Sequence, residues 1–483
     1  PARTDAGSHP FTAALARRDL DALVATLAPD AVLHSAVTRT PFEGREVLAD
    51  LYASVLESFE EVLVVDELRN GDTYAFFWEA RIDGRFVAGA DRFRVGADGL
   101  VHEITIVGRP LSGLTTFLSG IGFRFAKRRR GALPAVLWGP IPLINIRYSA
   151  LADRLYGYRS DTLVYEVYAI NRERDFDYVL ERLARLPLVG LLVPYGAFLW
   201  AGVRYDVFGC FFDGALLART PWWRAELRLL RLAGKGVVVY PYGGDARLPS
   251  ETRRLGRWHA YTDVPPGEED RDEADVRARL AAFGRYADAI LGCADLVEHL
   301  PRLDGVLRYP FPADEWRPVE PAADGVLTVV HSPNHPHYKG TRYLVEAVEE
   351  VRREGVAIEL VLVQGMPNDE ARAAYERADV IADQFLIGAY ALFAIEGMAL
   401  GKPVLCYLNE RFAPYHPEWH ECPILNTSPA AIADNLRRLA ADPELRRELG
   451  RRGPPYVEKY HSLRSVGADL DTIYRSLWGL PAR

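Results

Sequence analysis

The chain has 483 residues, which at ~150 per domain suggests about three domains. It is 49% hydrophobic, 26% charged and 11% aromatic, which excludes a disordered, fibrous or disulfide-stapled protein. A formal charge of −8 argues against nucleic acid as the main partner, because neutralising phosphates needs a basic face.

The opening PARTDAGSHP has no apolar run behind a basic segment, so no signal peptide is expected. Residues 10–27 and 44–59 carry amphipathic helical patterns. From residue 61 the period changes to two, in VLVVDEL, TYAFFWEARI, RFVAGADRFRV and LVHEITIVG, with NGD, IDG and ADG turns between them. That predicts an antiparallel meander behind two helices, an α+β cone over residues 1–120. His34, Trp78 and His102 are candidates to line a pocket in it. Residues 121–133 form a linker whose RFAKRRRG (124–131) reads as a solvated basic joint, with peripheral contact to acidic lipid as the alternative.

Beyond the linker, apolar runs of strand length alternate with helical stretches. LPAVLWG, DTLVYEVY, YDVFGCFF, GKGVVVYPY and AILGC make a first parallel unit over 134–312. VLTVVHSP, IELVLVQG, VIADQF and PVLCYL make a second over 313–483, after a Pro-rich junction. Two Rossmann-like units in series predict a cleft between them, with ligands beyond the carboxyl ends of the strands. A last helix, 463–480, is long enough to cross back over the junction. Residues 186–203 hold eighteen residues without charge and are the strongest membrane candidate. Two prolines and three glycines favour a buried helix–loop–strand there instead. Cys210, Cys293, Cys406 and Cys422 are scattered without a CxxC pair and read as thiols in a reducing, cytoplasmic compartment.

Neither parallel unit carries G-x-G-x-x-G after its first strand, and there is no G-x-x-x-x-G-K-[ST]. DxD triplets at Asp175/Asp177, Asp270/Asp272 and Asp469/Asp471 are near background in an acid-rich chain, so no metal is assigned. His416, His420 and Cys422 in HPEWHEC lack an evident fourth ligand and read as a loop over a base pocket. Only five of the 58 basic residues are lysine, and Lys339 and Lys402 fall inside the strongest motifs. A lysine kept in an arginine-biased chain hints that a compact ammonium is wanted. HSPNHPHYKGTRYLVEA (331–347) puts Lys339 and Gly340 at the mouth of a strand, before a helix. ADQFLIGAYALFAIEGMALGKPV (382–404) puts a glycine-bearing loop before a second helix that contains Glu396. Amides of that helix start, placed near Gly388, Ala389 and Tyr390, can hold a phosphate. Lys339 adds a point charge, and Glu396 can accept paired ribose hydroxyls. YGGDAR (242–247) sets Tyr242, Gly243, Asp245 and Arg247 after a strand of the first unit, where Asp245 either acts on an acceptor or caps its turn.

Two resemblances follow from these residues. The cone order, with DAVLHSAVTRTPFEGREVL and ITIVGRPL, resembles the nuclear-transport-factor-2-like superfamily and its SnoaL-like branch. The KGT helix start, the Glu396 helix and GKPV resemble the donor half of retaining GT-B glycosyltransferases of the family 4-like group. YGGDAR resembles their acceptor-side loop. The resemblance implies a metal-independent, retaining transferase that moves a sugar from a nucleoside diphosphate to a hydroxyl acceptor. In it Lys339 binds the pyrophosphate and Glu396 the ribose, Asp245 serves as a catalytic group, and Tyr242, Gly243 and Arg247 face the acceptor. Two positions depart from the pattern. Gly388 stands where the family has a second Glu, leaving Gln384 or backbone amides to replace it. Asn334, His335 or His337 stands near the place of its Arg. The cone is expected to be a dimerisation or accessory module. The alternatives are a non-catalytic sugar-nucleotide binder, or a cyclase- or isomerase-like cone fused to a transferase.

Overall fold

A computed structural model describes residues 8–35, 41–82, 85–109, 133–320, 325–365, 367–481 and 483; the basic cluster 124–131 and residues 1–7 lie outside them. In the cone, the first helical pattern breaks at Arg18, whose φ of 57° ends helix Pro10–Arg17 before helix Leu20–Ala25. Strand β1 (Leu27–His34) follows, then β2 (Phe42–Glu43), helix Arg45–Ser58, β3 (Glu61–Asn70), β4 (Thr73–Ile82), β5 (Arg85–Val95) and β6 (Val101–Arg109). The order β2-β1-β6-β5-β4-β3 contains the expected meander, with one addition: β1 runs parallel to β6 and closes the wall. Period-two alternation sends Phe76, Trp78, Val87, Phe93 and Ile104 inward against Phe11, Leu48 and Tyr52. The other face shows Leu63, Leu68, Phe77, Phe86 and Val107 to solvent.

The three residues proposed to line a cone pocket do not meet in one. His34 is exposed. His102 sits on the outside, 3.1 Å from Asp98 and 3.4 Å from Asp30. Trp78 alone is interior, donating to Asp91 (2.8 Å) and lying so close over Gly89 that a Cβ there would come within 2.4 Å of its ring.

The first α/β half has seven parallel strands in the order β13-β12-β11-β10-β7-β8-β9. They are β7 (Val136–Trp138), β8 (Ser160–Val164), β9 (Tyr178–Val179), β10 (Val207–Cys210), β11 (Gly236–Val239), β12 (Ala289–Gly292) and β13 (Gly305–Val306). The second half has five, in the order β15-β14-β16-β17-β18. These are β14 (Leu327–His331), β15 (Ile358–Leu362), β16 (Val380–Ala382), β17 (Val404–Cys406) and β18 (Leu425–Asn426). The apolar runs read from sequence all became strands. The two-residue edge strands escaped, being too short to carry a pattern. Two parallel, helix-covered sheets with a crossing last helix are the GT-B architecture. That helix, Leu463–Trp478, buries Val466, Leu470, Tyr474 and Trp478 in the core of the first half, and Tyr158 donates to Asp471 across the join (2.7 Å).

One expectation fails on packing. Residues 186–203 are not a buried helix–loop–strand. They lie largely in one helix, Val189–Arg204, with Ala197 and Ala201 inward and most of its leucines in water.

Candidate functional site

The carboxyl edges of the two sheets face each other. His416, beyond β17, lies with Nε2 2.9 Å from the Ala294 carbonyl beyond β12, and Arg411 pairs with Glu298 at 2.7 Å. On another side Arg342 forks onto Asp263 (2.6 and 2.8 Å), and Tyr338 packs on Tyr261 with ring centroids 5.6 Å apart. Beside this second contact an open groove of about 910 Å³ runs between Arg253, Asp263, Pro266, His337, Arg342 and Glu346.

At the mouth of β14, buried His331 bridges three segments: Nδ1 to the Ala382 carbonyl (2.7 Å) and Nε2 to Thr341 Oγ1 (2.8 Å). Its burial pushes the imidazole down to about 4, so the ring is neutral and serves as a fixed strut. The chain makes one turn, Pro336–Lys339, and restarts as helix Thr341–Arg353 through Gly340, whose φ of 75° favours glycine. Lys339 is thereby delivered into the cleft edge, its side chain only 16% exposed, with Nζ 3.2 Å from Asp383 Oδ1. Asp383, fully buried just past β16, is the group that the sequence reading missed. Its other oxygen accepts the Ala391 amide (3.0 Å), and Phe385 N–H donates to the Lys339 carbonyl (2.9 Å). An acid directly behind the apolar VIA strand and opposite a rare lysine was the signal available.

Because Asp383 takes the Ala391 amide, the helix starts at Leu392 and not at Gly388–Tyr390. The amides left without an intrahelical partner belong to the first turn, at Leu392 and Phe393. Gly388 has φ 89°, and a Cβ there would meet Asn409 Cβ at 3.0 Å, so this loop path disfavours the Glu of the family pattern. Gln384 does not replace it: its side-chain amide donates to the Ala389 carbonyl inside the loop. Ala389 is buried, and the Tyr390 hydroxyl turns away to Tyr456 and His461 (2.9 Å each). Asn334 and His335 are exposed on the approach, and the partial desolvation that remains on one side of the ring holds His335 below the ordinary imidazole value. A neutral imidazole is a weaker phosphate partner than Arg.

Glu396 lies in the second turn of helix Leu392–Ala399, 8% exposed, and its carboxylate has no hydrogen-bond partner among the described residues. Burial first, and the Asp383 charge second, push it up to about 8, against the pull of Lys339 and Arg372. Tyr148, on helix Ile144–Leu155 of the opposite half, is raised by burial and then by the Glu396 charge, which places the carboxylate at the interlobe gap.

The acceptor-side residues gather at the ends of β10–β12 but are already engaged. Asp245 is fully buried and accepts the amides of Tyr242 (3.0 Å), Gly243 (2.9 Å) and Phe212 (3.1 Å). Burial and neighbouring Asp213 raise it to about 7. It is the clasp of the loop, and its expected catalytic role finds no free oxygen. Arg247 is held by buried Asp295 (2.6–3.1 Å), and Tyr242 donates to Asp213 (2.6 Å), which Arg271 also grips. The HPEWHEC loop packs at the interlobe join, with His416 stacked on Trp419 at 4.8 Å. Lys402 is buried behind the helix, where burial lowers it.

A family model described as SnoaL-like domain matches residues 9–104. Residues 9–104 belong to the SnoaL-like family. A steroid delta-isomerase from Pseudomonas aeruginosa is 30% identical over 25% of this chain and 89% of that one, with a TM-score of 0.24. Sucrose-phosphate synthase from Thermosynechococcus elongatus is 16% identical over 72% of this chain and 100% of its own, with a TM-score of 0.48. Anabaena HepE, solved with UDP and glucose, is 10% identical over 71% and 100%, with a TM-score of 0.47. No curated protein matches the chain. The SnoaL-like domain is thus fused to two α/β halves whose GT-B architecture is carried by their own strand order.

Proposed function

We propose that the two α/β halves form a glycosyltransferase that takes a nucleoside-diphosphate sugar and moves the sugar to a hydroxyl acceptor, with retention and without a metal. The observation that carries this reading is Glu396, an almost buried carboxylate without a hydrogen-bond partner among the described residues, beside the Lys339–Asp383 pair at the interlobe gap. An unpaired carboxylate there costs several kcal/mol unless a ligand supplies donors, and paired ribose hydroxyls supply two. In this reading the free first-turn amides of Leu392 and Phe393, with the Lys339 ammonium, stabilise the charge growing on the departing diphosphate. Closure of the halves brings the acceptor from the side of the Tyr242–Arg247 loop and excludes water.

UDP, GDP, TDP and ADP are each to be tested for their effect on thermal unfolding. One of them, at about 100 times its Kd, is expected to stabilise the chain by ~2.7 kcal/mol through mass action. Failure of all four to move the transition would remove the donor site. Release or transfer of sugar from the matching donor then separates an enzyme from a non-catalytic binder.

For the cone we propose dimerisation. Leu63, Leu68, Phe77, Phe86 and Val107 share one open sheet face, an apolar patch of the kind that marks protein contact. Mass in solution is expected to double relative to the monomer, and to fall back when Phe77 and Phe86 are replaced by Asp. A monomeric parent chain would sink the proposal.

A further inference from the structure

Helix Val189–Arg204 presents the least expected surface of the molecule. Its sixteen residues contain no Asp, Glu or Lys, and its one Arg ends it. Alanines 197 and 201 pack into the first half's core, while Leu188, just before the helix, and Leu191, Leu192, Leu199 and Val203 are 67–87% exposed. Those positions recur at helical spacing on one outward face, with half-buried Tyr195 between them. Soluble monomers seldom leave so continuous an apolar stripe in water. At 1.5 Å per residue the helix is ~24 Å long, short of the ~30 Å hydrocarbon core. No helix among the described residues is long and apolar enough to cross a membrane.

What surrounds the stripe points to its occupant. Arg204 lies over Trp200 (5.2 Å), and Trp222, 56% exposed, follows Pro221, which shares a groove with Leu191 and Tyr195. Aromatic rings paired with cations at the rim of an apolar face are the anchors of a water–lipid boundary. Charge agrees. Residues 181–232 hold seven arginines and four acids in a chain of net −8. Three of those acids point inward: Asp206 to the Ala135 amide, Asp213 to Arg271, Glu226 to the Leu217 amide. The fourth, Glu181, is taken by Arg185. Outside this stretch Glu166 takes Arg219 and Glu173 lies 3.9 Å from Arg182, which leaves Arg204, Arg224 and Arg228 without an acidic partner among the described residues.

We propose that this face docks flat on a lipid bilayer rich in anionic headgroups, with the leucines in the acyl boundary and the arginines among the phosphates. The docking does not depend on the transferase reading. The test uses the full chain, sedimented with phosphatidylcholine–phosphatidylglycerol vesicles and, in parallel, with phosphatidylcholine alone. The parent chain is expected to bind the mixed vesicles more strongly, and less so as salt rises. Leu191→Glu/Leu192→Glu is expected to lower the partition coefficient by ~10²-fold or more, each buried leucine being worth roughly tenfold or more. Both positions are exposed, so the melting temperature should not move. The proposal is overturned if the parent does not bind the mixed vesicles, if it binds both kinds equally, or if the double substitution leaves binding unchanged. It is also overturned if the substitutions instead dissolve a dimer, which would make the face a contact between copies.

Discussion

Lys339→Met is expected to lower turnover by ~10²–10³-fold, the loss typical of removing one group that stabilises developing charge. It is also expected to destabilise the chain by ~3–5 kcal/mol, because the fully buried carboxyl of Asp383 would lose its cation. The obvious variant therefore confounds chemistry with folding. Lys339→Met/Asp383→Asn separates them. An amide oxygen at position 383 still accepts the Ala391 N–H and holds the helix start, while the orphaned carboxyl is gone. Urea midpoints should return most of the way to the parent value in the double variant, and turnover should stay low. Recovered turnover would mean that Lys339 only neutralises Asp383, and the anion site would lose its cation.

The pair also shows where sequence reading stops. Strands were legible because parallel sheets covered on both faces need continuous apolar runs, as in VLTVVH and GVVVY. Lys339 and Glu396 were legible because each is an anomaly along the chain: a lysine among arginines, a carboxylate inside an apolar helix. Asp383 was not, since its meaning comes from a partner 44 positions away. The same holds for Asp245, whose three amide donors include Phe212, brought in by the packing of β10 beside β11. Residues 186–203 failed for a different reason. Hydrophobicity says that a segment wants an apolar surrounding, and it does not say whether protein or something else provides it. Gly388 is the converse case: its departure from the family pattern becomes intelligible once its left-handed backbone and the approach of Asn409 are seen.

Glu396→Gln makes the sharpest claim, because it should strengthen the fold and weaken the site at once. The folded carboxyl sits at about 8 against an ordinary 4.5. Between those values the folded chain holds a proton that the unfolded chain releases, so this group's contribution to stability falls as pH rises through the window. It is fully present below pH 4.5 and lost above about 8. The glutamine variant does not titrate. Its melting temperature should match the parent near pH 4.5 and exceed it by roughly 2–4 °C per kcal/mol of relief at pH 8. Ligand binding should show the opposite sign. Hydroxyl donors favour the ionised carboxylate, so affinity of the parent for its nucleoside diphosphate should rise with pH and level off above about 8. In Glu396→Gln that dependence should vanish and affinity at pH 8 drop ~10–100-fold, the range for losing hydrogen bonds to a charged acceptor. Calorimetric titration at several pH values reads both effects. A variant that melts higher yet binds as tightly as the parent, with the pH slope intact, would show that the carboxylate faces no ligand.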